Sequence, residues 1–116
     1  MKLCKKSQVI ERKNADNCVV SEYSIEDESL DFAIVRVNGR YPESGLAVNK
    51  AVKEIVYVGD GSGAVQVNGN LVELNQGDVI LIERNEPFYW EGNLTLYIAC
   101  TPKFSVEQHQ RVADSD

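Results

Sequence analysis

The chain has 116 residues, a length suited to one domain around one core. With 43% hydrophobic and 26% charged residues it is too apolar to be wholly disordered. Its net charge of −6 sets up a field that repels phosphate backbones and anionic headgroups, so no nucleic-acid partner and no membrane surface is expected.

Residues 1–17 read as an N-terminal segment. Its small basic patch, Lys5, Lys6, Arg12 and Lys13, reads as a solvated terminus. No apolar run follows the first lysines, and none anywhere is long enough to cross a membrane, so a cytoplasmic location is expected. The cysteines, Cys4, Cys18 and Cys100, are odd in number, scattered, and not spaced as a zinc knuckle or disulfide framework would be. Cys18 and Cys100 lie in apolar runs and read as small buried hydrophobes.

From residue 18 to residue 102 short strand signals recur, punctuated by Gly, Asn and Asp, with no sustained helical period. Residues 32–37 form an apolar run and lead to a turn expected at Asn38-Gly39. Residues 54–58 form another and enter the glycine-rich stretch 59–63, also read as a turn. That stretch is no phosphate cradle, because it lacks the Lys-Ser/Thr ending and runs into a strand, not a helix. The clearest unit is residues 64–67, Asn68-Gly69, and residues 70–74. Asn-Gly accepts the positive φ angles of a two-residue hairpin turn, which pairs Val65 with Val72 and puts Val67 and Leu74 on the same face. A turn at residues 75–78 and strands at 79–82, 88–90 and 94–100 follow. In residues 103–116, Ser105 with Gln108 has the spacing of a capping box, so a short helix is expected through Val112, followed by a frayed acidic tail over residues 113–116.

Glu54 and Gly61 with Tyr57-Val58 between them, then Gly77-Asp78 leading through an apolar strand to Pro87-Phe88, form two spaced motifs. On these, over about residues 38–102, the chain resembles the cupin superfamily, in particular small single-domain bacterial cupins that lack the metal-binding histidines. Glu54 and Gly61 match the end of the first cupin motif. Gly77-Asp78 opens the second, which reaches Pro87-Phe88 where metal-dependent members have Pro-His. The resemblance implies an all-β fold, a cupin-like double-stranded β-helix or jelly-roll barrel, here with the short C-terminal helix. It also implies a homodimer paired through a sheet face. The His-x-His pair of the metal-dependent members falls on Ala47 and Asn49, or on Val48 and Lys50 in the variant spacing, and neither choice supplies an imidazole. No metal and no other cofactor is therefore expected.

What remains of the motif positions is Glu54 and an aromatic wall. Glu54 reads either as a general acid or base raised by burial at the barrel mouth, or as a strand residue paired with Lys50 or Lys53. Alternation places Phe88 and Trp90 on one face and Tyr89 on the other, so the first two either line a ligand pocket or fill the core. Arg40 and Tyr41 read as a carboxylate clamp and an acid, or as parts of a turn that needs Pro42 and Gly45. His109 falls in the expected helix and reads as a surface residue. The candidate site is thus Glu54 and Tyr41 for catalysis, and Arg40, Tyr41, Asn49, Glu54, Phe88 and Trp90 for binding. Three functions fit it: metal-independent binding of a small organic ligand, a metal-free isomerase or epimerase using Glu54 with Tyr41 or Tyr57, and a structural module acting as a dimer.

Overall fold

A computed structural model describes residues 1–113 of the chain. The acidic-tail expectation rests almost wholly on residues 114–116, which lie outside the described residues. Among the described residues nine strands follow in chain order: β1 (Ile10–Ala15), β2 (Cys18–Tyr23), β3 (Asp31–Tyr41), β4 (Leu46–Asn49), β5 (Lys53–Val67), β6 (Asn70–Asn75), β7 (Val79–Ile82), β8 (Phe88–Thr101) and β9 (His109–Val112). Three-residue 3-10 turns stand at Lys6–Gln8 and Val106–Gln108. None of the helices described is long and apolar enough to cross a membrane. The architecture is the all-β jelly roll expected.

The spine is β8, which pairs antiparallel with β3 on one side and β5 on the other for nearly its whole length. Its alternation is the reason: Phe88, Trp90, Leu94, Leu96 and Ile98 are buried, while Tyr97 on the opposite face is exposed. The outer edge of β5 is shared, its first part pairing with β7 and its last part with β6. On the far side of β3, β2 and then β1 extend the sheet. Strand pairing therefore reaches beyond residues 18–102 at both ends, through β1 and β9.

The long strands bend together along one line. Gly39 of β3 faces Gly92 of β8, and Gly92 faces Gly63 of β5. A Cβ on Gly92 would stand 2.6 Å from the Gly63 Cα, and one on Gly63 would collide with the Glu91 carbonyl oxygen. Only glycine allows the β5 and β8 backbones to approach this closely where the barrel folds over, while at Gly39 it is the positive φ of 101° that favours glycine. This corrects two expectations, since Asn38-Gly39 and residues 59–63 are not turns but bent strand. Within the second, a bulge between Val58 and Asp60 shifts the pairing by one residue. Glu54, Val56 and Val58 face inward before it, and Val65 faces inward after it.

The hairpin at Asn68-Gly69 has the expected register, Val65 opposite Val72, with both turn residues at positive φ. Because β6 is an edge strand, Leu74 is its only buried residue and Val72 stays half exposed. The C-terminal expectation needs a larger correction. Helical structure covers only Val106–Gln108, Ser105 makes no side-chain cap, and the chain then runs out as β9 against β4, with Asn49 opposite His109 and Leu46 opposite Val112. A buried side chain explains the change: Gln108 Oε1 accepts from the backbone N–H groups of Ala51 and Val52 at 3.0 and 3.2 Å, which pins the segment to the barrel.

Candidate functional site

The inward faces of these strands do not close on one another. Between them lies a cavity of about 290 Å³ whose lining includes Tyr41 of β3, Asn49 of β4, Glu54 of β5, Phe88 and Trp90 of β8, and His109 of β9. Five of these six were read from sequence as site residues. The sixth, His109, was not.

Glu54 is 92% buried, with 8% of its surface exposed, and its carboxyl makes no hydrogen bond or ion pair among the described residues. The expected alternative, pairing with Lys50 or Lys53, is absent there. Burial pushes its carboxyl up to about 7, because nothing beside it compensates the charged form. A carboxyl poised near neutrality can give or take a proton at little cost.

Across the cavity runs a chain of polar side chains. The Tyr41 hydroxyl lies 2.9 Å from His109 Nε2, and His109 Nδ1 lies 2.8 Å from Asn49 Oδ1. Gln108 Nε2 donates to the same Asn49 oxygen at 3.0 Å. Burial holds the His109 imidazole down at about 4, reinforced by the positive charges of Arg12 and Arg111. Burial also raises the Tyr41 hydroxyl, against the opposing pull of the Arg111 guanidinium that lies over its ring. At neutral pH His109 is therefore uncharged.

Phe88 and Trp90 form the apolar wall, their rings 5.9 Å apart and nearly edge to face. Tyr89 between them points outward, as alternation requires, and carries the Arg40 guanidinium 4.0 Å from its ring centre. Arg40 also donates to the carbonyl oxygens of Pro42 and Gly45, at 2.9 and 3.2 Å. The structure thus gives Arg40 to the outer loop; it is not among the residues lining the cavity. Tyr57 likewise faces out, stacked 6.0 Å from Tyr97, which leaves Tyr41 as the tyrosine of the site.

Arg12 corrects the reading of a solvated basic terminus. It lines the cavity, its Nε donates to Glu22 at 2.7 Å, and its guanidinium lies 5.1 Å from the Phe104 ring centre. Cys18 and Cys100 are buried as expected, and burial pushes their thiols up to about 11 and about 12, so neither is a ready nucleophile.

His109 and Gln108 escaped detection because their partner Asn49 is about sixty positions away. Residues 109–112 are too short and too polar to show a strand period, so the one local signal was chemical, the only histidine of the chain beside a glutamine.

A metal of the kind many cupins hold does not fit these residues. Ala47 and Phe88 offer no donor atom, and the Asn49 oxygen already accepts two hydrogen bonds. Among the described residues no three His, Cys, Asp or Glu side chains cluster as ligands would.

A cupin domain model matches residues 34–97, more than half of the chain. The chain belongs to the cupin family. Among curated proteins no sequence matches it. Among solved structures it is similar to a variant of Streptomyces PAC13 with uridine, at 18% identity and a TM-score of 0.85, over 97% of this chain and 91% of that one. Pac13 is described as a nucleoside dehydratase. KdgF from Halomonas sp. is 12% identical with a TM-score of 0.70, over 90% of this cupin and 96% of that chain. Salicylate 1,2-dioxygenase from Pseudoaminobacter salicylatoxidans is 17% identical with a TM-score of 0.65, over 78% of this chain but 26% of the dioxygenase. At these identities the likeness is one of fold.

Proposed function

We propose that this cupin binds a small, neutral organic ligand inside its barrel without a metal, and that Glu54 is the group that meets it. The observation that carries this reading is Glu54, a residue 92% buried whose carboxyl has no side-chain partner among the described residues and opens onto a cavity large enough for a small metabolite. A buried carboxyl with no partner is costly to maintain, and a ligand hydroxyl or amide would supply the missing hydrogen bond. The open interior disfavours a purely structural role, which would be served better by a filled barrel. Since Pac13 is found with uridine, neutral sugars and nucleosides are the first probes. At least one should raise the unfolding temperature equally with and without a chelator. Stabilisation that vanishes with the chelator would sink the metal-free reading, and no stabilisation by any probe would sink the ligand class.

A second reading, a metal-free isomerase or epimerase, is favoured by the carboxyl held near 7 in the same cavity as Tyr41. In it the Glu54 carboxylate takes a carbon-bound proton, becomes the acid, and a proton returns to carbon from the site, so no redox partner is required. Solvent deuterium should then enter a bound probe, and Glu54→Gln should stop the exchange while leaving the fold intact.

The outer face supports pairing of two copies, as a homodimer. Val79, Tyr57, Tyr97 and Ile34 lie in one row across four strands, with Leu81, Ile55, Ala99 and Phe32 in the next. Six of these eight are substantially exposed, so two adjacent rows of apolar side chains face outward together, as an association surface would. A cytoplasmic location agrees with the thiols of Cys18 and Cys100 remaining free.

A further inference from the structure

The polar chain at the cavity begins at groups that can only donate. The backbone N–H groups of Ala51 and Val52 fix the near atom of the Gln108 amide as oxygen, so its Nε2 must point to Asn49. An N–H donor arriving there fixes that Asn49 atom as oxygen in turn. His109 Nδ1, 2.8 Å from the same oxygen, must then carry a proton. In a neutral imidazole Nε2 is left as an acceptor, and the Tyr41 hydroxyl has to donate to it.

We infer that Gln108 is a positioning residue which, through Asn49, locks His109 in its Nδ1–H tautomer and so fixes the polarity that Tyr41 and Asn49 offer a ligand. Tyr41 has committed its only proton to His109, and the Arg111 guanidinium already donates to the same oxygen, so what Tyr41 still offers a ligand is an acceptor position and no donor. Asn49 is 98% buried, with 2% of its surface exposed, and its Nδ2 has no partner among the described residues, so it can only donate. The ligand class that satisfies both carries a hydroxyl donor together with an oxygen acceptor on a small neutral frame, as a sugar-like polyol does. The apolar wall of Phe88 and Trp90 would pack its carbon face. This ligand class rests on the cavity being the binding site, but the tautomer does not.

His109 is the only histidine in the sequence, so its ring nitrogens can be read without ambiguity. Long-range proton–nitrogen correlation spectra of the unliganded wild-type protein at pH 7 should show a protonated Nδ1 and an unprotonated Nε2. The opposite tautomer, or fast exchange between the two, would overturn the lock whatever any variant does. Gln108→Glu should reverse every bond in the chain. The new carboxylate has no proton to give, so Asn49 must turn its NH2 towards position 108 and His109, and the spectrum should switch to Nε2–H. A folded Gln108→Glu protein that keeps Nδ1–H would also refute the mechanism. If that variant does not fold, Asn49→Asp serves instead. It keeps an acceptor facing His109 and should retain Nδ1–H while raising the imidazole titration; loss of Nδ1–H there would count against the lock. For the ligand class, uridine is compared with 2′,3′,5′-trideoxyuridine, which lacks all three ribose hydroxyl donors. Binding at least about tenfold weaker for the analogue supports it, and equal binding or no binding by either overturns it without touching the tautomer result.

Discussion

Replacing Glu54 by Gln should make the protein more stable at alkaline pH and leave it nearly unchanged in acid. In the folded chain burial raises the carboxyl from 4.5 to about 7. A group whose folded value lies above its unfolded value contributes its full stability below 4.5 and loses it as the pH rises through about 7. A shift of this size corresponds to a loss of about 3 kcal/mol, at ~1.4 kcal/mol per unit. Because Glu54 is buried, solvent screening takes little from this figure. His109 acts in the opposite sense. Its folded value of about 4 lies below the usual 6.5, so it contributes stability above 6.5 that is lost as the pH falls towards 4. Between about pH 4.5 and 6.5 the two slopes cancel in the wild type, whereas Glu54→Gln exposes the histidine slope alone. The difference in unfolding temperature, variant minus wild type, should be close to zero at pH 4.5 and about 10 °C by pH 8, taking a few degrees per kcal/mol for a domain of this size. Thermal denaturation by circular dichroism across that range measures it. A difference independent of pH would show that Glu54 is solvated and would remove the main support for the ligand reading.

Three further outcomes follow from the geometry. Gly63→Ala should destabilise the chain by more than about 3 kcal/mol, since its Cβ would collide with the Glu91 carbonyl oxygen, whereas Gly69→Ala, at positive φ but in open space, should cost only about 1 kcal/mol in chemical denaturation. Equal costs would refute the account of the barrel fold line. Leu81→Lys, on the exposed outer face, should convert a dimer to a monomer in sedimentation, and a wild type that is already monomeric would disprove the pairing. Arg40→Ala should lower stability by loosening the loop at Pro42 and Gly45 while leaving probe affinity within about twofold; a large loss of affinity would return Arg40 to the binding site.

Local chemistry made much of this protein legible in its sequence. Asn68-Gly69 flanked by alternating residues has one register, and it is the register observed, because turn geometry and the hydrophobic face agree within ten residues. The same period of two assigned Phe88 and Trp90 to the interior and Tyr89 to the exterior, and the motif spacing brought Glu54 and Asn49 to the same cavity. Glycine was the ambiguous signal. Positive φ serves a turn and a bent strand equally, and only the facing of Gly39, Gly92 and Gly63 across three strands shows which is meant. Whether Phe88 and Trp90 fill a core or wall a cavity was also undecided until the volumes on opposite sheets met. The sequence alone determined the strand period, the hairpin register and the absence of histidines at the metal positions, since each depends on neighbours along the chain. Tertiary structure alone decided that the interior is open, that Arg40 turns outward, and that a C-terminal strand carries Gln108 and His109 to Asn49, because those contacts join residues that no local pattern relates.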